Sequence, residues 1–146
     1  MRITKLVKTG VISAATAALF TSGGAIGDPM SIVNPSSGLQ SCGPDAPPGC
    51  QHLVLQGDPK TGPSQRVYHF PAGFVFVKHW HTSNENVVIT KGTLKIAADG
   101  QSERILNVGD YLYIPAKVVH WGGCPQECEF YLMEDGPTSF NAVEKN

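Results

Sequence analysis

The feature that most restricts the fold is how often the chain's apolar runs are cut short. The runs QRVYHF, GFVFVKHWH, ENVVITKG, TLKIAA, SERILNV, DYLYIPA, VVHWG and EFYLME follow one another from residue 65, with turn residues at 71–73, 99–100, 109–110 and 122–123 between some of them. Glycine and aspartate accept the backbone angles of tight turns, and none of these runs shows convincing helical periodicity. Short strands recurring at roughly ten-residue intervals predict an antiparallel sandwich or barrel, so the fold class is all-β. No internal repeat is evident.

The N-terminus has a different character. Arg2, Lys5 and Lys8 are followed by VISAATAALF at 11–20 and by the small residues of TSGGAIG, which offer cleavage after Ala25 or Gly27. This is the pattern of a cleaved secretory signal over 1–27; a retained anchor would need a longer apolar run. A cut after Gly27 of the 146 residues leaves 119, enough for one core and not two. Residues 28–62 are dense in Pro, Gly and Ser, with QHLVLQG as their only strand-like run, and read as an arm. The barrel is expected over 53–136 and a tail over 137–146. A formal net charge of −1 with mixed signs provides no basic stripe for nucleic acid and no polybasic patch for lipid. The expected location is the periplasm or outside the cell, with no membrane attachment after cleavage.

Cys42, Cys50, Cys124 and Cys128 agree with export, because an even cysteine count in a short exported domain usually means disulfides. Of the three possible connectivities, Cys42 to Cys50 and Cys124 to Cys128 is favoured: CGPDAPPGC and CPQEC are both turn-rich, and the second can staple a hairpin. A thiolate metal site is the rival reading of the same short spacings.

In an extended strand alternate side chains share a face, which predicts Val75, Val77, His79 and His81 on one side and Phe74, Phe76, Lys78 and Trp80 on the other. Both imidazoles then enter one interior. Glu85 opens the next strand and His120 opens a later one, so three imidazoles and a carboxylate make a site for one divalent transition metal, with positions left for water or substrate. The alternative is a domain that carries the pattern without useful affinity.

Residues 73–92 read GxxxxxHxHxxxExxxxxxG and 109–120 read GxxxxxPxxxxH, with sixteen residues between the two segments. This pair resembles the two motifs of the cupin superfamily, over most of the chain beyond the arm. Lys117 and Cys124 depart from it, standing where cupins commonly have Gly and Asn; the first implies a different turn before His120, the second a disulfide in place of a local hydrogen bond. The resemblance implies an RmlC-like jelly roll, a double-stranded β-helix with His79, His81, Glu85 and His120 as metal ligands. The phrases LVLQGDPKTGPSQRVYHFPAGF and CEFYLMEDGP are similar to those of small exported bacterial single-domain cupins.

Around these ligands Ser83, Asn84 and Asn86 are candidates to fix the second ring nitrogens. Tyr113 and Tyr131 are candidate catalytic hydroxyls beside Glu85, although packing is the commoner use of each ring. His52 and His69 lie outside the motifs. The Phe76 and Trp80 face, read as outward, predicts a homodimer. Iron, manganese, nickel and zinc suit the donor set alike. The leading expectation is a metal-dependent oxidoreductase of oxygenase type acting on a small molecule; the alternatives are a metal- or ligand-binding sensor, and an oxygen-independent isomerase, decarboxylase or lyase.

Overall fold

A computed structural model describes residues 32–44, 46 and 48–144; the signal expected at 1–27 lies outside them. In chain order the strands are β1 (Gln40–Ser41), β2 (Gln51–Gly57), β3 (Ser64–Phe70), β4 (Phe74–Trp80), β5 (Glu85–Lys91), β6 (Leu94–Ala98), β7 (Arg104–Leu106), β8 (Tyr111–Ile114), β9 (His120–Cys124), β10 (Cys128–Glu134) and β11 (Asn141–Ala142). They form two antiparallel sheets, ordered β1-β2-β3-β10-β5-β8 and β11-β4-β9-β6-β7. Among the described residues no helix is long and apolar enough to cross a membrane.

Alternation builds the interior. On β10, Phe130, Leu132 and Glu134 are buried, and across the ladder Val87 and Ile89 of β5 join the first two. Leu94 and Leu106 of the other sheet complete the same cluster with Phe70, and Phe74 and Phe76 pack against it. Burial of this apolar surface is the main force holding the two sheets face to face.

Strand β4 departs from simple alternation. Phe76 pairs with Gly122 and His79 with His120, so β4 spends three steps where β9 spends two. This extra residue is a β-bulge, and it reverses the parity of the strand on either side of it. Phe74, Phe76 and His79 consequently share the interior, while Val75 and Val77 are 65 % and 53 % exposed. The expectation that Val75 and Val77 line the same face as the histidines is therefore corrected, and with it the outward Phe76 face from which pairing was inferred.

Both turn-rich cysteine pairs are bonded, Cys42 to Cys50 and Cys124 to Cys128, with Cα separations of 5.5 Å and 5.6 Å. No cysteine remains for a thiolate site. The two disulfides are compatible with export.

Lys117 is the one non-glycine residue with positive φ among the described residues, at 67°. The lysine thus occupies the left-handed conformation that glycine would favour, at a cost in strain. Its N–H donates to the His81 carbonyl at 2.8 Å, tying together the two segments that carry the histidines. Because its side chain is exposed, Lys117→Gly is expected to stabilise the fold by about 0.5–1 kcal/mol, the relief of strain exceeding the entropy of the freer unfolded chain. Urea unfolding of the two proteins checks it.

Candidate metal centre

Three strand ends bring the chemistry together. The end of β4 supplies His79, the residues just beyond it His81, the start of β5 Glu85 and the start of β9 His120. His79, Glu85 and His120 are buried, and the His81 side chain is 11 % exposed. One nitrogen from each of the three histidines lies within 4.8 Å of the others. Glu85 reaches two of them, with Oε1 3.5 Å from His81 Nε2 and Oε2 3.6 Å from His120 Nε2. Those separations are long for hydrogen bonds and leave room for an ion between the donors.

The opposite ring nitrogens explain the orientation. His79 Nδ1 meets the Val77 carbonyl at 2.6 Å, His120 Nδ1 meets that of Val118 at 3.0 Å, and His81 Nδ1 meets that of Ser139. A carbonyl oxygen can only accept, so each Nδ1 carries the hydrogen and each Nε2 presents a lone pair to the centre. This is the arrangement that metal-ligating imidazoles need, and it shows that the donors present fit a divalent transition metal. Backbone carbonyls do here what was expected of side chains. Ser83 Oγ instead donates to the Pro137 carbonyl, Asn84 bonds Asp135 and accepts from the Ala116 N–H, and Asn86 accepts from the Tyr111 hydroxyl. Ser83 and Asn84 brace the surrounding loops, and Asn86 ties β5 to β8.

The segment after β10 closes over the site. Phe140 stacks on the His79 ring at 4.3 Å, Thr82 is bonded to Ser139, and β11 pairs with β4 at His79 and Trp80. Behind the ligands lies a cavity of about 590 Å³ between the sheets, with Phe70, Phe74, Phe76, Phe130 and Leu132 in its wall. Tyr113 and Tyr131 do not line it: they alternate with Leu112, Ile114 and Leu132, which do, so their rings sit on the other faces of β8 and β10. The tyrosine in the wall is Tyr68. His52 stacks on that ring at 5.6 Å, and His69 lies 3.5 Å from Glu127 near the surface.

Two buried charges were not singled out from the sequence. Glu134 has a carboxylate oxygen within 4.8 Å of a His81 ring nitrogen and a Glu85 carboxylate oxygen, and it is ion-paired with Arg66. The available signal is period-two: Arg66 and Tyr68 alternate with the remainder of β3, and Glu134 continues the inward series of Phe130 and Leu132.

Burial sets the protonation of the site. The Glu85 carboxyl is pushed up to about 8 by desolvation, with the neighbouring Glu134 charge adding and Arg66 opposing. His79 and His81 are lowered to about 4, first by burial, and His120 is lowered for the same reason. The imidazoles are therefore neutral and ready as ligands near pH 7, whereas Glu85 still holds its proton. Metal uptake at pH 7 is expected to release about one proton per ion, because the ligating carboxylate must ionise. Calorimetry in buffers of different ionisation enthalpy measures it.

Without metal the same shifts oppose one another. The folded carboxyl titrates near 8 against 4.5 in the unfolded chain, so its contribution is present at low pH and is lost as pH rises towards 8. The folded histidines titrate near 4 against 6.5, so theirs is present above 6.5 and lost as pH falls towards 4. Between 6.5 and 8 the carboxyl acts alone, and this centre makes the metal-free protein less stable as pH rises.

Residues 44–139 match the family model described as ChrR Cupin-like domain. Over 75 residues the chain is 35 % identical to the DNA damage-repair/toleration protein DRT102 of Arabidopsis thaliana, a match spanning 51 % of this chain and 24 % of that protein. The fold is similar to the DMSP lyase DddQ of Ruegeria pomeroyi, with TM-score 0.60 and 20 % identity over 69 % of this chain and 55 % of the other. It is also similar to an RmlC-like cupin of Shewanella frigidimarina, with TM-score 0.57 and 19 % identity over 68 % and 82 %. The chain thus spans about a quarter of the plant protein and about half of the lyase.

Proposed function

The chain belongs to the ChrR cupin-like domain family, and from that premise we propose that it is an exported metal-binding cupin acting on a small molecule, as an oxidoreductase of oxygenase type. His79, His81, Glu85 and His120 are the ligands of one divalent transition metal in this reading. The observation that carries it is the set of three imidazoles whose Nδ1 hydrogens are all committed to carbonyls, beside a carboxylate and an apolar cavity. When bound, the ion supplies Lewis acidity and, where it is iron or manganese, electrons for dioxygen chemistry. The chain's own part is to hold substrate in the cavity, exclude water with its phenylalanine wall, and, when Glu85 swings off the ion, accept a proton on that carboxylate. Iron, manganese, nickel and zinc all accept these donors. Export to the periplasm or beyond is supported by the two disulfides and by the basic, apolar and small-residue succession over 1–27.

A second reading is favoured by one observation. Burial favours the protonated form of Glu85 whenever it is free of the ion, so a Glu85 that leaves the ion is suited to taking up a proton, as an oxygen-independent lyase, isomerase or decarboxylase requires. The likeness to a DMSP lyase is consistent with it and shows fold alone. Oxygen-electrode measurements on iron-loaded protein offered small organic acids and alcohols divide the possibilities. Substrate-dependent oxygen uptake supports the oxygenase; substrate loss without oxygen uptake assigns the second reading; firmly held metal with no turnover assigns a binding or sensing role.

A further inference from the structure

A second polar group adjoins the metal ligands, and the reading above does not use it. Arg66, 3 % exposed, pairs through Nη2 with Glu134 and donates from Nη1 to the Tyr68 hydroxyl at 2.5 Å. Glu134 also accepts from Thr138 through the same oxygen, while its other oxygen and Arg66 Nε have no hydrogen-bond partner. The Tyr68 oxygen is therefore the acceptor of its bond with Arg66, which leaves its own hydrogen to donate into the cavity that the residue lines. Orphaned polar atoms in a buried network mark a place where a partner is missing.

Tyr68 joins two dissimilar ends of the cavity. Its ring lies 5.7 Å from Phe70 and 5.9 Å from Phe130, and around Phe70 the rings of Phe74, Phe76 and Phe130 stand at 4.5, 4.8 and 5.4 Å. Its hydroxyl belongs to the charged end. There Arg66 and Glu134 cancel, and a divalent ion with Glu85 ionised leaves one net positive charge. Buried charge is costly unless compensated, so the loaded site calls for one more negative charge beside an aromatic wall.

We propose that the cavity receives a small organic monoanion with an aryl body, an aryl-substituted carboxylate, whose anionic oxygen accepts from the Tyr68 hydroxyl while its ring lies against the phenylalanine wall. Arg66 and Glu134 act as positioning residues that hold the hydroxyl in place. This deepens the proposed function and rests on it, because the charge count includes the ion.

The test is calorimetric titration of the zinc-loaded protein with phenylacetate, 3-phenylpropanoate and 4-phenylbutanoate, each against its primary amide, with zinc content measured on every sample. At least one acid is expected to bind about tenfold or more tightly than its amide, a charge-assisted hydrogen bond being stronger than a neutral one. Tyr68→Phe should retain its zinc and lose most of that preference. Zinc-loaded protein that binds acids and amides within about twofold for all three pairs overturns the proposal, since a charge-assisted bond would separate them further. A preference unchanged in Tyr68→Phe overturns the assignment to Tyr68, because the anion would then be bound by the ion alone. Folded protein that takes up no zinc overturns the metal reading instead, and the charge count with it.

Discussion

Alanine in place of His79 or His120 should remove the metal-linked part of the protein's stability. A ligand that binds only the folded state at a hundred times its dissociation constant adds about 2.7 kcal/mol, and the wild-type chain is expected to show a gain of this order on saturation. Each variant removes a ring whose Nδ1 is already held by a carbonyl, so the ordering of that donor is lost along with the donor itself. Loss of a group that merely orients a ligand typically costs 10–100-fold in affinity, and loss of a ligand is expected to exceed about a hundredfold. Thermal unfolding with and without added zinc reads this directly: a large upward shift in the wild type, and little in either variant. A full shift in His120→Ala would remove that residue from the ligand set.

The second large effect concerns the ion pair behind the ligands. Arg66→Met leaves the Glu134 carboxylate buried, with side-chain exposure of 1 %, and without its counter-charge. Breaking a buried pair from one side is expected to cost about 3–5 kcal/mol, because one uncompensated charge remains in the interior. Replacing both partners, Arg66→Met with Glu134→Leu, is expected to recover most of that loss, since neither charge is then buried alone. Urea unfolding of the single and double variants measures both figures. Equal destabilisation in the two would mean that packing, not charge, dominates at this position.

The sequence makes the ligand set legible for a physical reason. His79 and Glu85 lie on two successive strands and His81 on the short turn that joins them, so their spacing alone limits how far apart they can fall. His120 is more distant along the chain but opens a strand, β9, that pairs with β4. Arg66 and Glu134 stand 68 residues apart and meet only because β3 pairs with β10, a register that no local pattern reveals. The bulge in β4 was equally hidden. One surplus residue in a run of valines and phenylalanines leaves composition unchanged while reversing which of them point inward. The carbonyls of Val77, Val118 and Ser139 that orient the imidazoles have no signature either, because every residue carries one. Tyr113 and Tyr131 drew attention as hydroxyls near the motifs, yet strand alternation turns both away from the cavity and leaves Tyr68 to line it.

Three histidine nitrogens and one carboxylate are proposed to hold a single ion, and X-ray absorption of the zinc-loaded protein reads that donor set. One zinc per chain is expected, with a nitrogen and oxygen shell at about 2.0–2.2 Å and the outer-shell scattering of three imidazoles. A sulfur shell at about 2.3 Å, or imidazole scattering from no more than one ring, would contradict it.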